Sequence, residues 1–247
     1  DYHNSEYIPE YFKIRVFLSG FTGSAGTLLI SKKSAFLWTD GRYFIQADKQ
    51  TKDSEFIVMK MDIDNTPTVK EFINKYMEKG SRLGFSKDSL MIEEKKQFEK
   101  ECKDVEIVVT EDYLNEIWEN RPSIPENEVV EMDVSLTGFS RAQKLNMIRI
   151  YLSEKKVDYA FIASLDDIAW TLNLRGSDID YNPVFISYLL VTVDKAYLFT
   201  SEKRFNEEIK NNVEKDLEIF PYDAVETKLK EIFENEKTIL INENKVN

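Results

Sequence analysis

Four places in the sequence carry side chains able to do chemistry. The first is Asp40-Gly41-Arg42, inside Thr39-Asp40-Gly41-Arg42-Tyr43. An arginine presents a planar, permanently charged fork suited to a carboxylate or a backbone carbonyl, and a glycine beside it permits a turn and close approach. At this spacing Asp40 and Arg42 can equally pair with each other at the surface, a contact of little energetic weight. The second place is Asp166-Asp167. Adjacent carboxylates are candidates for a metal or for acid-base work, but neighbours on a helix point ~100° apart. They do not converge, and one of them is expected to cap a helix N-terminus. The third is Gly20-Phe21-Thr22-Gly23-Ser24-Ala25-Gly26-Thr27, which has the outline of a phosphate loop. Thr27 stands where such a loop needs lysine, and a strand follows where a helix N-terminus is required, so the stretch is read as a tight, close-packed entry to a hairpin. The fourth is the pair of singletons His3 and Cys102. A lone histidine near a terminus is expected at the surface, and Cys102 as a packing residue at a helix end. No Cys/His cluster, HExxH or Ser/His/Asp arrangement is available, so these residues by themselves make no complete catalytic site.

The elements that must position them follow from periodicity. Asp1 to Arg15 is polar and irregular. Thr27–Ile30 and Ala35–Trp38 have strand length and are joined by the turn-like Ser31-Lys32-Lys33-Ser34, a hairpin that delivers Arg42 to a sheet edge. A helix over Arg42–Gln50 and a strand over Glu55–Met61 complete a strand, helix, strand unit. Thr66 and Pro67 are expected to cap and open a helix that Gly80 stops. Arg82–Phe85 (strand), Leu90–Cys102 (helix), Val105–Val109 (strand) and Asp112–Trp118 (helix) come next. Asn120–Val129, NRPSIPENEV, has two prolines in a polar stretch and reads as a linker across which few contacts pass. A second alternation then runs through helix Arg141–Lys155, strand Tyr159–Ala163, helix Asp166–Asn173, strands Phe185–Val193 and Ala196–Thr200, helix Glu202–Asp216, strand Glu218–Phe220, helix Asp223–Glu234 and strand Thr238–Ile241. The expected class is α/β, with domains at 1–122 and 123–247.

The halves read as copies of one another. Ala35-Phe36-Leu37-Trp38-Thr39 leads through Arg42 into a helix, and Ala196-Tyr197-Leu198-Phe199-Thr200 leads through Lys203 and Arg204 into another. A Gly-Ser pair, Gly23-Ser24 or Gly176-Ser177, precedes each hairpin, and the second copy lacks the Asp-Gly-Arg tip. Composition narrows the class further. In 247 residues, 45 acidic against 33 basic side chains leave a net charge of -12, which disfavours a nucleic-acid partner. One cysteine excludes an internal disulfide framework, and no apolar run nears the ~20 residues of a membrane span. An intracellular, soluble protein is expected. With no Met or signal-like segment at Asp1, targeting is not legible from this end.

Phe17-x-Ser19-Gly20-Phe21-x-Gly23-Ser24-Ala25-Gly26-Thr27 with Trp38-Thr39-Asp40-Gly41-Arg42-Tyr43-Phe44-x-Gln46-Ala47 closely resembles the first domain of the three-domain, eukaryotic-type Xaa-Pro aminopeptidases (aminopeptidase P). Asp167-Ile168-Ala169-Trp170, Asn173-Leu174-Arg175-Gly176-Ser177-Asp178-Ile179 and Asn182-Pro183-Val184-Phe185-x-Ser187-Tyr188 resemble their second domain. Both blocks match in order and spacing across nearly the whole chain.

The resemblance implies a metallo-exopeptidase that removes the N-terminal residue from peptides with proline in second position. It implies two related creatinase/prolidase N-terminal-type domains with mixed sheets, the first lacking its opening helix and strand. The chemistry belongs in that family to a third, pita-bread domain, where two Asp, one His and two Glu hold two divalent metals, usually manganese, and a bridging hydroxide attacks the scissile carbonyl. This chain stops about where that domain begins, so no catalytic residue and no metal ligand is expected in it, the lone His3 lying in the first domain. The fragment alone is expected to be inactive and to bind no metal. One role carries over: Arg42 falls at the position that reaches toward the peptide substrate, and is expected to orient it. Asp40, Arg175, Asp178 and Asn182 match the family but are assigned turn and packing roles, and Phe185, Tyr188 and Trp170 are read as core. The expected partners are Xaa-Pro peptides, the chain's own C-terminal catalytic domain and, for the whole protein, a second copy in a homodimer. The location implied is cytoplasmic, with an acidic digestive compartment left open. The competing class is a non-catalytic, peptidase-like module of histone-chaperone type that binds basic tails, as the charge would suit; creatinase and prolidase are poorer matches, and an isolated structural module is the remaining alternative.

Overall fold

The computed structural model describes residues 2–87, 89–233 and 237–247. The chain divides into two compact units, Glu10–Pro122 and Ser123–Asn247, the second also taking in Tyr2–Pro9. That opening segment was expected with the first domain; it folds onto the second because His3 is buried there.

In the first unit, α1 (Ile14–Ser19) follows a short 3-10 turn at Glu10–Phe12, so the opening is less irregular than its polarity implies. Gly20 ends α1 with φ +70°, a left-handed cap that favours glycine. β1 (Thr27–Ile30) and β2 (Ala35–Thr39) form the expected antiparallel hairpin, α2 (Phe44–Gln50) follows, and β3 (Phe56–Lys60) returns parallel to β2. Next is α3 (Val69–Tyr76), whose cap is Thr68 rather than Thr66. The reason is the Thr68-x-x-Glu71 capping box: the Thr68 N–H donates to Glu71 Oε2 at 2.8 Å and the Glu71 N–H to Thr68 Oγ1 at 3.3 Å. β4 (Arg82–Ser86), α4 (Ile92–Glu101), β5 (Glu106–Thr110) and α5 (Leu114–Ile117) close the unit. Its strands form two sheets, β1-β2-β3 and the parallel pair β4-β5. The edge strands β1 and β4 line one cavity of about 760 Å³.

The second unit runs β6 (Val130–Glu131), α6 (Val134–Thr137), α7 (Arg141–Lys155), β7 (Tyr159–Ile162), α8 (Leu165–Leu172), β8 (Leu174–Arg175), β9 (Tyr188–Thr192), β10 (Ala196–Phe199), α9 (Glu207–Val213), β11 (Glu218–Phe220), α10 (Val225–Ile232) and β12 (Ile239–Leu240). The sheet is mixed, in the order β11-β10-β9-β7-β12. Every residue of β9 and β10 is buried, as continuous apolar runs require of central strands. The single helix expected over Glu202–Asp216 is instead a 3-10 turn (Glu202–Arg204) and then α9, because Asn206 caps the latter by accepting from the Ile209 N–H at 2.9 Å. Glu234, the expected last residue of α10, lies outside the described residues.

The two halves repeat one unit. Thr27 pairs with Trp38 and Tyr188 with Phe199; Phe36 pairs with Ile57 and Tyr197 with Glu218. One constant offset relates all these pairs, so β1-β2-α2-β3 and β9-β10-α9-β11 correspond without an insertion. A side-chain bond repeats as well: Thr39 Oγ1 donates to the Ala25 carbonyl at 2.7 Å, and Thr200 Oγ1 to that of Ile186 at 2.8 Å, both threonines being fully buried. The same register shows that the two Gly-Ser pairs are not equivalent, since Val184 and Phe185 take the places of Gly23 and Ser24.

Candidate substrate-positioning site

Arg42 sits between β2 and α2. Thr39 is anchored by its hydroxyl bond to Ala25 and by the Met61 N–H, which donates to the Thr39 carbonyl at 3.0 Å. Asp40 follows at once, and three bonds from Arg42 converge on its carboxylate. The Arg42 backbone N–H and Nε each donate to Oδ1 at 3.0 Å, and Nη2 donates to Oδ2 at 2.7 Å. This is the bidentate fork that arginine geometry favours. Arg42 holds the Asp40 carboxyl below the usual carboxylate range through these side-chain hydrogen bonds. The guanidinium lies 5.2 Å from the centre of the Tyr43 ring, and the Tyr43 hydroxyl is 2.7 Å from that of Ser24 in the glycine-rich loop. The Arg42 side chain is 68% exposed, so its charge faces solvent while its orientation is set from below. Gly41 needs no special backbone here: a Cβ would meet Phe44 at 3.9 Å, an ordinary contact.

The glycine-rich loop is a packing device. A Cβ on Gly23 would lie 2.2 Å from the buried Phe21 ring, and one on Gly26 would lie 3.1 Å from the Trp38 carbonyl. Arg15 of α1 donates to the carbonyls of Gly26, at 2.8 Å, and Gly23. A phosphate would need backbone N–H groups there, and the loop presents carbonyls to a cation instead.

The other candidates serve the fold. Asp166 and Asp167 are exposed in the first turn of α8; Ser164 holds the cap position, so neither carboxylate is the cap. Arg175 Nη1 donates to the Ala169 carbonyl at 2.7 Å, tying down the end of α8. Asn182 closes a turn on Ile179 in which Tyr181 has φ +63°. Phe185 and Tyr188 are core, but Trp170 is half exposed, its ring 4.0 Å from the buried Lys144 Nζ. Lys144 donates to the Trp170 carbonyl at 2.7 Å and to Asn173 Oδ1 at 2.6 Å, and burial pushes its pKa down. Burial pushes the Cys102 thiol up, as suits a packing residue beside Ile73 and Phe98.

Further expectations are overturned. His3 is not at the surface but 1% exposed. Its Nδ1 donates to the Ala163 carbonyl at 2.8 Å, Nε2 is 2.9 Å from the Tyr222 hydroxyl, and Tyr188 packs 4.5 Å from its ring. Asp178 is more than a turn residue: it forms a fully buried ion pair with Arg204 at 2.6 Å and also accepts the Ile186 N–H at 2.8 Å. Arg204 reaches on to the carbonyls of Pro125 and Asn127, so the proline-rich linker is fastened to the second unit rather than loose. The repeat held the one sequence signal for this. Arg204 occupies the place of the half-buried Tyr43, an inward-facing position.

Among the described residues no three His, Cys, Asp or Glu side chains come together as a metal site.

Each half has the hairpin, helix and parallel strand of one α/β type. The sequence profile of the creatinase/prolidase N-terminal domain matches residues 13–117, and a second profile of the same description matches 120–247. The chain belongs to the creatinase/prolidase N-terminal domain family, one domain in each half. The chain is 36% identical over 241 residues to the Xaa-Pro aminopeptidase ApepP of Drosophila melanogaster, covering 94% of this chain and 39% of that protein. It is 38% identical over 232 residues to aminopeptidase P2 of Arabidopsis thaliana, covering 91% of this chain and 32% of that one. The crystal structure of X-prolyl aminopeptidase from Caenorhabditis elegans, described as a cytosolic enzyme with a di-nuclear active site, superposes with a TM-score of 0.88 at 33% identity, over 98% of this chain and 40% of that one. The chain thus spans about two fifths or less of the length of these relatives.

Proposed function

We propose that this chain is the N-terminal part of a metal-dependent Xaa-Pro aminopeptidase and that its two domains wall the substrate cleft. The observation that supports this reading most is a likeness to the nematode enzyme that runs through both domains at a TM-score of 0.88. Two divalent metals, manganese by the family pattern, belong in this proposal to sequence beyond the matched part. The same proposal gives the whole protein a homodimeric assembly and a cytosolic location. No helix among the described residues is long and apolar enough to cross a membrane.

Arg42 orients the peptide. Its exposed guanidinium offers donors to a backbone carbonyl or a carboxylate of the substrate, and a fixed donor lowers the entropic part of the barrier. Replacing Arg42 with Ala in the complete protein removes one charged hydrogen bond, and kcat/KM for Xaa-Pro peptides is expected to fall about 10- to 100-fold with metal content unchanged. Unaltered kinetics refute the role.

The reading as a whole is tested by mass-spectrometric cleavage of an Arg-Pro-Pro peptide with manganese, comparing this chain with the product of the complete reading frame. Cleavage by the complete product alone is the expected result. Cleavage by neither removes the peptidase reading, and cleavage by this chain removes the assignment of the chemistry to sequence beyond it.

A further inference from the structure

Resting on the proposed role of Arg42, we propose that Asp40 is a positioning residue for peptide binding: its carboxylate fixes the direction of the Arg42 fork toward the substrate. Three observations carry this. Asp40 takes both Nε and Nη2 of Arg42 and also its backbone N–H, so one carboxylate sets the side chain and the turn beneath it together. Asp40 is itself held still, because the preceding Thr39 is fully buried and bonded on two sides. The third observation is internal to the molecule. The second unit builds the same hairpin with Ser201 at the place of Asp40 and Lys203 at the place of Arg42, and passes through a 3-10 turn (Glu202–Arg204) into a helix that starts at Glu207, two residues beyond the place of Phe44. Lys203 there makes an exposed ion pair with Glu126 at 2.8 Å. The hairpin and the helix that follows it therefore form without an Asp–Arg fork, so the fork in the first unit is not a requirement of the scaffold.

An exposed pair of this kind adds little to stability. What it supplies is order: a long side chain that would sample many rotamers is kept in one, so less freedom is lost when a peptide binds. The Tyr43 ring, pinned by Ser24, backs the guanidinium and limits where it can swing.

The test is a double-mutant cycle in the complete protein, with kcat and KM measured on an Xaa-Pro peptide for Asp40→Asn, Arg42→Ala and the double variant. Asp40→Ser is included because serine is the residue the second unit already tolerates at this place. The expected result is a KM raised about tenfold in Asp40→Asn and Asp40→Ser, the equivalent of about 1.4 kcal/mol. The kcat should change less than about twofold, thermal midpoints should stay within about 2 °C, and the double variant should be no worse than Arg42→Ala. If Arg42→Ala is impaired and the Asp40 variants bind normally, the positioning role falls while the Arg42 reading stands. If Arg42→Ala is itself normal, both fall. Multiplicative losses in the double variant show that Asp40 acts independently of Arg42, and likewise overturn the inference.

Discussion

Acid should loosen the second unit through one side chain. His3 is neutral in its burial site, with Nδ1–H donating to the Ala163 carbonyl and Nε2 left to accept from the Tyr222 hydroxyl. Desolvation by burial is the main cause that takes its pKa from 6.5 to about 4, outweighing the opposing effect of the Ala163 bond. Between those values the unfolded chain takes up a proton that the folded chain refuses, so stability falls as pH drops from 6.5 toward 4 and is fully present above 6.5. At about 1.4 kcal/mol per pH unit of separation, the loss amounts to about 3 kcal/mol. That is a large share of the ~5–15 kcal/mol typical of a domain. His3 is the chain's one histidine, so in an untagged sample its ring resonances are unambiguous, and their titration by NMR reads the folded pKa directly. Urea unfolding of the native chain and of His3→Gln, at pH values from 4 to 7.5, isolates the stability effect, because carboxylates common to both proteins cancel in the difference. The gap in stability between them should narrow by about 3 kcal/mol toward pH 4. A His3 resonance that titrates near 6.5, or parallel stability curves for the two proteins, would show the burial argument to be wrong.

Two further outcomes follow from bonds within the repeated fold. Asp178→Asn strands Arg204 in a site where both partners are buried, and should cost about 3–5 kcal/mol in urea unfolding of the second unit; a loss under about 1 kcal/mol contradicts the pairing. Thr39→Val and Thr200→Val each leave one carbonyl, Ala25 or Ile186, without its hydroxyl donor. The two variants should lose similar amounts, about 1–3 kcal/mol, in the unfolding of their own units, and a large effect of one with none of the other would deny the equivalence of the two hairpins.

Much of the architecture was legible in the amino-acid order. Both hairpins, the helix over Arg141–Lys155 and strand Glu218–Phe220 lie where periodicity puts them, because each reports on contacts within a few residues. The Thr66-Pro67 pair masks the true cap, Thr68, two residues on, although the capping box needs nothing beyond Thr68 and Glu71. β6, α6 and β8 are too short to leave a periodic trace. For the candidate site, the motif around Arg42 supplied the residue, and the Asp40 pairing was legible from its spacing as a surface ion pair. Its three-bond geometry was not, since two rotamers and a turn must be known first.

The sequence by itself determined the α/β alternation, the duplicated hairpin-helix-strand unit and the acidic balance, which rest on local spacing, internal repetition and composition, while Arg42 stood out only through the family resemblance of its motif. Only the tertiary structure decided that His3 is buried, that Trp170 is half exposed, and that Arg204 reads Asp178 and the linker carbonyls. The physical reason is that desolvation and charge pairing depend on which groups meet in space. His3 meets Ala163 and Tyr222 across more than half the chain, and no periodicity along the sequence encodes a meeting of that kind.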